Sequence, residues 1–146
     1  MMRKVFVVLT ALAVVGCGGY QGYKPPATVK VTGKVLLPSG QPLTVGTIRF
    51  EPVATGQGGD AYAAVTQDGS FVVKSFGDRE GMKPGKYVAY LDPTTVTMVA
   101  MVGANKRSTL IPAAATVPVT YLQAGTTKWK FEVAEGGMDL GTLKMN

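Results

Sequence analysis

Thr66-Gln67-Asp68-Gly69-Ser70-Phe71 is the stretch that decides the fold. Asp68-Gly69 separates two extended runs, Tyr62–Thr66 and Ser70–Phe76. Glycine accepts the positive φ of a tight turn, and Asp can bond to its own turn backbone, so the pair is a strong hairpin signal. Period-two alternation continues outward in both directions. Upstream, Val29, Val31, Gly33, Val35 and Leu37 alternate with Thr28, Lys30, Thr32, Lys34 and Leu36, and Ile48 and Phe50 alternate with Thr47, Arg49 and Glu51. Downstream, Phe71 and Val73 alternate with Ser70 and Lys74, with Val72 as an apolar exception. Lys86-Tyr87-Val88-Ala89-Tyr90-Leu91 is largely apolar on both faces, as a central strand is. Val117, Val119 and Tyr121 alternate with Pro118 and Thr120, and Trp129, Phe131 and Val133 alternate with Lys128, Lys130 and Glu132. Such alternation sends one row of side chains into a core and the other into water.

Turn chemistry punctuates these runs. Pro38-Ser39-Gly40-Gln41-Pro42, Gly56-Gln57-Gly58-Gly59-Asp60, Lys83-Pro84-Gly85 and Ala124-Gly125 fall between them. No segment has a convincing amphipathic helical period. Six or seven short strands at roughly ten-residue spacing predict an all-β protein, a Greek-key β-sandwich.

The residues also carry a family resemblance. Val31-Thr32-Gly33-Lys34-Val35, then Gly40-Gln41-Pro42-Leu43, then Ile48-Arg49-Phe50-Glu51-Pro52 resembles the opening of the carboxypeptidase regulatory-like, or transthyretin-like (prealbumin-like), domain. Thr66-Gln67-Asp68-Gly69-Ser70-Phe71 is similar to that family's T-x-x-D-G-x-F hairpin. Gly81-Met82-Lys83-Pro84-Gly85-Lys86-Tyr87 is similar to its G-x-x-P-G-x-Y strand entry. Ile111-Pro112, Val117-Pro118-Val119-Thr120-Tyr121 and Trp129-Lys130-Phe131-Glu132-Val133 resemble the closing strands of short bacterial lipoproteins with this domain. The resemblance covers about residues 28–135 and implies a seven-stranded sandwich acting as a non-catalytic accessory module.

The first residues read as an address. In Met1–Cys17, Arg3 and Lys4 form a positive n-region and Val5–Val15 an apolar run interrupted only by Thr10. That run is short of the roughly 20 residues needed to span a bilayer and suits a secretory h-region. Val14-Val15-Gly16-Cys17 resembles a bacterial lipobox, which implies cleavage before Cys17, a thioether-linked diacylglycerol on its thiol and an acyl chain on its new α-amino group. The expected organisation is a signal peptide over 1–16, a lipidated Cys17 with a Gly/Pro-rich tether over 17–27, and a β-sandwich over 28–146. The tether reaches at most about 35 Å. The chain is expected to be exported and held on a bacterial membrane, the outer membrane or the periplasmic face. Processing takes Arg3 and Lys4 away and leaves 130 residues at a formal +4, in place of 146 at +6.

Composition excludes much chemistry. There is no His and one Cys, so His-dependent triads, His-ligated metals, internal disulfides and four-Cys sites are out. Some transthyretin-like proteins hydrolyse a purine-pathway intermediate with histidines and a Tyr-Arg-Gly-Ser tail, and related intradiol dioxygenases hold iron with Tyr and His. This chain has no His and ends Leu143-Lys144-Met145-Asn146, so neither activity carries over. No enzyme, no metal, no cofactor beyond the lipid on Cys17, and no nucleic-acid partner are expected.

Two kinds of binding residue remain. Residues 92–112 hold an apolar stretch, Met98, Val99, Met101 and Val102, followed by the basic pair Lys106 and Arg107. They form either a further strand or a patch that docks an envelope protein. Tyr62, Tyr90 and Tyr121 are candidates for stacking sugars in a carbohydrate-binding module, with Trp129 assigned to the core. Lys30/Lys34 and Lys128/Lys130 would form a basic stripe toward an acidic polymer if their strands lay together.

Overall fold

Glycine at position 69 sets the central corner of the fold. Gly69 has a φ of 82°, its N–H donates to Thr66 O at 2.9 Å, and the Thr66 N–H donates to Ser70 O at 2.9 Å. The chain is seen here as a computed structural model that describes residues 26–55, 59–96 and 117–146. Past the turn the two arms part. Strand β3 (Ala61–Ala64) pairs with β2 (Thr47–Pro52), while β4 (Ser70–Val72) pairs with β1 (Val31–Leu36). The arms meet again where β5 (Lys74–Ser75) joins β3, Tyr62 opposite Lys74. Residues 70–75 are thus one extended segment shared by two sheets. At its hinge the Val73 N–H donates to Val31 O while Val73 O accepts from the Gly81 N–H.

The remaining strands are β6 (Arg79–Glu80), β7 (Gly85–Leu91), β8 (Lys130–Val133) and β9 (Met138–Lys144). Their order is β4-β1-β9 in a three-stranded sheet and β6-β5-β3-β2-β7-β8 in a six-stranded one. The protein is therefore all-β, with two sheets around one core. The described residues form nine strands where seven were expected. Two of the nine, β4 and β5, are halves of the sheet-crossing segment, and β6 is two residues long. Strand β7 is paired on both sides, as its two apolar faces require.

The inward rows match the alternation. Val31, Val35, Ile48, Phe50, Phe71, Val73, Tyr87, Ala89 and Leu91 are all buried, whereas Val72 is 37% exposed. Burying a side chain the size of Phe71 contributes about 1.5–3 kcal/mol. Its ring lies under Gly33, where an added Cβ would come within 2.6 Å of Cζ. A glycine there lets Phe71 reach Phe50, with ring centroids 6.2 Å apart.

Two expectations are corrected, and one strand is added. Val117–Tyr121 is not a strand: Val119–Leu122 is a 3-10 turn, with Val119 68% exposed and Tyr121 1% exposed. Pro118 precedes the turn, and a three-residue period replaces the period of two. The basic stripe does not form, because Lys34 stands on β1 in the small sheet and Lys130 on β8 in the large one. Strand β9 was not foreseen. It runs parallel to β1 with a register shift between Thr32 and Lys34. Gly141, at φ 64°, sits in this bulge and breaks the alternation that would have marked the strand.

The sandwich has two distinct ends. Val29 bridges Met82, and Gly137 closes against Lys30, near the start of the described residues. At the far end Leu36 meets Pro42 and accepts from the Met145 N–H at 3.1 Å. Asp92 N–H donates to Thr47 O there at 2.8 Å, and residues 93–96 are helical.

Candidate functional site

The outward row of the large sheet is where polar and aromatic groups converge. Because Ile48, Phe50, Ala61, Ala63, Ala89 and Leu91 point inward, Arg49, Tyr62 and Tyr90 point outward. The register puts Arg49 directly between the two tyrosines: Arg49 faces Tyr62 on β3 and Tyr90 on β7. Tyr62 in turn faces Lys74 on β5. Ala89 N–H donates to Trp129 O at 2.9 Å, which brings Lys128 beside Tyr90. Across four strands the row reads Tyr90, Arg49, Tyr62, Lys74, and Lys128 extends it from the residues just before β8. With strands about 4.8 Å apart, the two tyrosine backbones are roughly 9.6 Å apart.

Arg49, Tyr62 and Lys74 are each held by a carboxylate. Arg49 Nε donates to Asp92 Oδ2 at 2.8 Å, and a terminal guanidinium nitrogen lies 2.8 Å from the same oxygen. The other carboxylate oxygen, Oδ1, accepts from the Thr94 N–H at 2.9 Å and its hydroxyl at 2.6 Å. The Thr94 hydroxyl foremost, then Arg49, holds the Asp92 carboxyl below the usual range against the opposing effect of burial. Asp92 is 7% exposed, while half of the Arg49 side chain, 51%, remains in solvent. The hydrogen bond to Asp92 raises the Arg49 pKa, so this arginine is a fixed cation with spare N–H donors.

Tyr62 is fixed from the other side. Its hydroxyl donates to Asp78 Oδ1, and Lys74 Nζ lies 3.7 Å from the same oxygen. Tyr62 and then Lys74 lower the Asp78 pKa, and the shared proton raises that of Tyr62. Asp78 reaches this position from a turn in which Phe76, Gly77 and Asp78 all have positive φ, of 48°, 74° and 74°. Two non-glycine residues in left-handed geometry are costly, and here they carry the carboxylate that fixes a surface tyrosine. Beside the row, Arg49, Glu51, Asp60 and Tyr90 line a cleft of about 210 Å³ floored by Phe50 and Ala61. Burial and the nearby Glu51 raise the Tyr90 pKa, so both tyrosines are neutral at physiological pH.

A second, more open hollow of about 440 Å³ lies on the outer face of the small sheet, among Thr32, Lys34, Thr66, Ser70, Asp139 and Thr142. Its rim is tied to the turn: Asp68 Oδ1 accepts from Thr66 Oγ1 at 2.6 Å, Ser70 Oγ at 2.7 Å and the Ser70 N–H at 3.2 Å. The two hydroxyls lower the Asp68 pKa. These bonds close the turn and leave its carboxylate engaged.

Of the three candidate tyrosines, the structure joins Tyr62 and Tyr90 and removes Tyr121. Tyr121 is buried in the core, its ring 4.8 Å from that of Trp129 and its hydroxyl accepting from the Asn146 N–H at 3.1 Å. No sugar can stack on it, because both faces are covered. Cys17 with Val14, Val15 and Gly16, and the candidate docking residues Met98, Val99, Met101, Val102, Lys106 and Arg107, lie outside the described residues. Sequence reasoning missed Arg49, Glu51, Asp60, Asp78 and Asp92 as a group. Arg49 and Glu51 were legible as outward positions of one strand, but their neighbours come from three other segments.

No family model, no curated protein and no solved structure matches this chain.

Proposed function

We propose that this chain is a non-catalytic, lipid-anchored β-sandwich of the bacterial cell envelope that binds a surface polysaccharide through the outer face of its six-stranded sheet. The observation that carries the reading is the Tyr62–Arg49–Tyr90 row: two outward tyrosines in one register, on either side of a fixed arginine. Aromatic side chains offer large rigid area at low entropic cost, which makes them good binding anchors. A seven-stranded transthyretin-like Greek key, as the motifs of residues 28–135 imply, is the proposed form of the sandwich. Lipidation of Cys17 is the proposed anchor, and several acyl chains at about 0.8 kcal/mol per buried CH₂ give near-permanent membrane attachment.

Two measurements test this. Affinity electrophoresis of the full chain through gels containing envelope polysaccharides should show retardation, which Tyr62→Ala together with Tyr90→Ala abolishes. Unretarded wild-type protein in every gel would remove the binding reading. Cys17→Ser should move the protein from the membrane to the soluble fraction and leave its mass without acyl groups. A variant that stays membrane-bound would remove the anchor.

A further inference from the structure

The chemistry around the row also bears on the kind of polymer. We infer that the face selects a neutral, hydroxyl-rich glycan laid across the strands, and discriminates against uronate- or sulfate-bearing chains. This rests on the reading of the face as a polysaccharide site and adds its ligand class.

Apolar recognition comes first. Tyr62 and Tyr90 are partly exposed. The close aromatic pairs among the described residues are Phe50–Phe71 and Tyr121–Trp129, so neither outward tyrosine stacks on another protein ring. The C–H face of a pyranose is the surface that complements an aromatic face, and its hydroxyls then point sideways. Two tyrosines about 9.6 Å apart are too far apart for one sugar ring to cover. An oligosaccharide crossing β3, β2 and β7 covers both.

Polar recognition then sets the charge of the ligand. Between and beside the rings stand a donor and two acceptors: the guanidinium of Arg49 and the carboxylates of Glu51 and Asp60, which line the same cleft as Tyr90. Among the described residues, neither Glu51 nor Asp60 takes part in an ion pair or a side-chain hydrogen bond. A sugar hydroxyl both donates and accepts, so vicinal hydroxyls can satisfy the carboxylates and the guanidinium together. An ionised carboxylate or sulfate only accepts. Placed in this cleft it would meet Arg49, already paired with Asp92, and would be repelled by Glu51 and Asp60. A polycation would in turn meet Arg49, Lys74 and Lys128. Interleaved signs of charge favour a ligand with none.

The test uses the full chain in detergent micelles on an array of neutral, uronate-containing and sulfated oligosaccharides, followed by calorimetric titration of the strongest binders at low and high salt. Neutral glycans should bind, with an affinity changing less than about twofold between the two salts. Tyr62→Ala and Tyr90→Ala should each weaken binding roughly tenfold, equivalent to about 1.4 kcal/mol, with unchanged thermal midpoints showing intact folding. Glu51→Gln keeps the size and removes the charge. It should weaken neutral glycans severalfold and raise the affinity for uronates. Preferential, salt-sensitive binding of acidic glycans would overturn the inference and leave polysaccharide binding standing. Neutral-glycan binding untouched by both tyrosine substitutions would overturn the placement of the site. An array blank for all three classes would overturn both the inference and the function on which it rests.

Discussion

Gly69 and Gly40 share a φ of 82° but differ in surroundings. A Cβ on Gly40 meets nothing within 4 Å, whereas one on Gly69 falls 2.7 Å from the backbone oxygen of Val35. Gly40→Ala therefore carries only the left-handed cost, about 1–2 kcal/mol. Gly69→Ala adds a clash with a β1 carbonyl that also accepts from the Leu43 N–H, and that carbonyl cannot yield without loosening this bond. We expect a loss of roughly 3 kcal/mol or more for Gly69→Ala. Urea unfolding should show both as shifts in midpoint at constant slope, with the larger shift for Gly69. Equal shifts would mean that the turn is held by backbone preference alone. The contrast also shows what is legible at this scale. The Asp68-Gly69 turn is encoded in adjacent residues and was read from them. The Tyr62–Arg49–Tyr90 row depends on two registers, and β2 and β7 are separated by more than thirty residues, so no local pattern announces it. Sequence supplied the correct outward parity of each side chain and not which of them would be neighbours.

At the level of the element, periodicity succeeded where a strand is regular and failed where it is bent or replaced. Trp129 and Val133 are buried, as the alternation around β8 required. Val117–Tyr121 alternates equally well in sequence and yet runs into the 3-10 turn Val119–Leu122, because a short apolar alternation has no means of fixing its own hydrogen-bond partners. The partners decide it here. The Tyr121 N–H donates to Pro118 O at 3.0 Å, while its ring packs on Trp129 and its hydroxyl receives the Asn146 N–H. Trp129 Nε1 in turn donates to Lys144 O at 3.4 Å, so this turn fastens the end of β9 to the large sheet. Two substitutions separate the two contributions. Tyr121→Phe keeps the ring and removes the acceptor, for an expected cost of about 1 kcal/mol. Tyr121→Ala opens a core cavity, for about 3–5 kcal/mol. Amide exchange should follow the same division: Tyr121→Phe should speed exchange at Asn146 and leave β8 protected, whereas Tyr121→Ala should release β8 and the end of β9 together. A Tyr121→Ala protein with full protection in both strands would show that the turn is peripheral to the core.

For the whole molecule, the absence of histidine becomes a prediction about acid response. Among the described residues, the ionisable groups whose environment shifts them are Asp68, Asp78 and Asp92 on the acidic side and Arg49, Tyr62, Tyr87 and Tyr90 on the basic side. Each aspartate has a folded pKa below its unfolded value, so the native state binds fewer protons than the unfolded chain in that range. Its stabilisation is fully present above the unfolded pKa, near pH 4, and is lost as the pH falls through the folded value. The basic-side groups are all raised, so their protonated forms persist throughout the neutral range. With no His, no side chain is left whose ordinary pKa lies between pH 5 and 8. The thermal midpoint should therefore be flat from about pH 5.5 to 8 and fall steeply below about pH 4. Asp92 should contribute to the acid limb, since its ionised carboxylate is held by Arg49 and by the Thr94 N–H and hydroxyl, and it ties Arg49 on β2 to the chain beyond β7. Asp92→Asn keeps the shape but removes the charge, and should lower the midpoint at pH 7 while flattening the acid limb. The same substitution loosens Arg49 without touching either tyrosine, so it should weaken the proposed glycan binding by less than removal of a ring does. A wild-type midpoint that changes between pH 5.5 and 8, or an Asp92→Asn variant with an undiminished acid limb, would contradict this assignment of the charges.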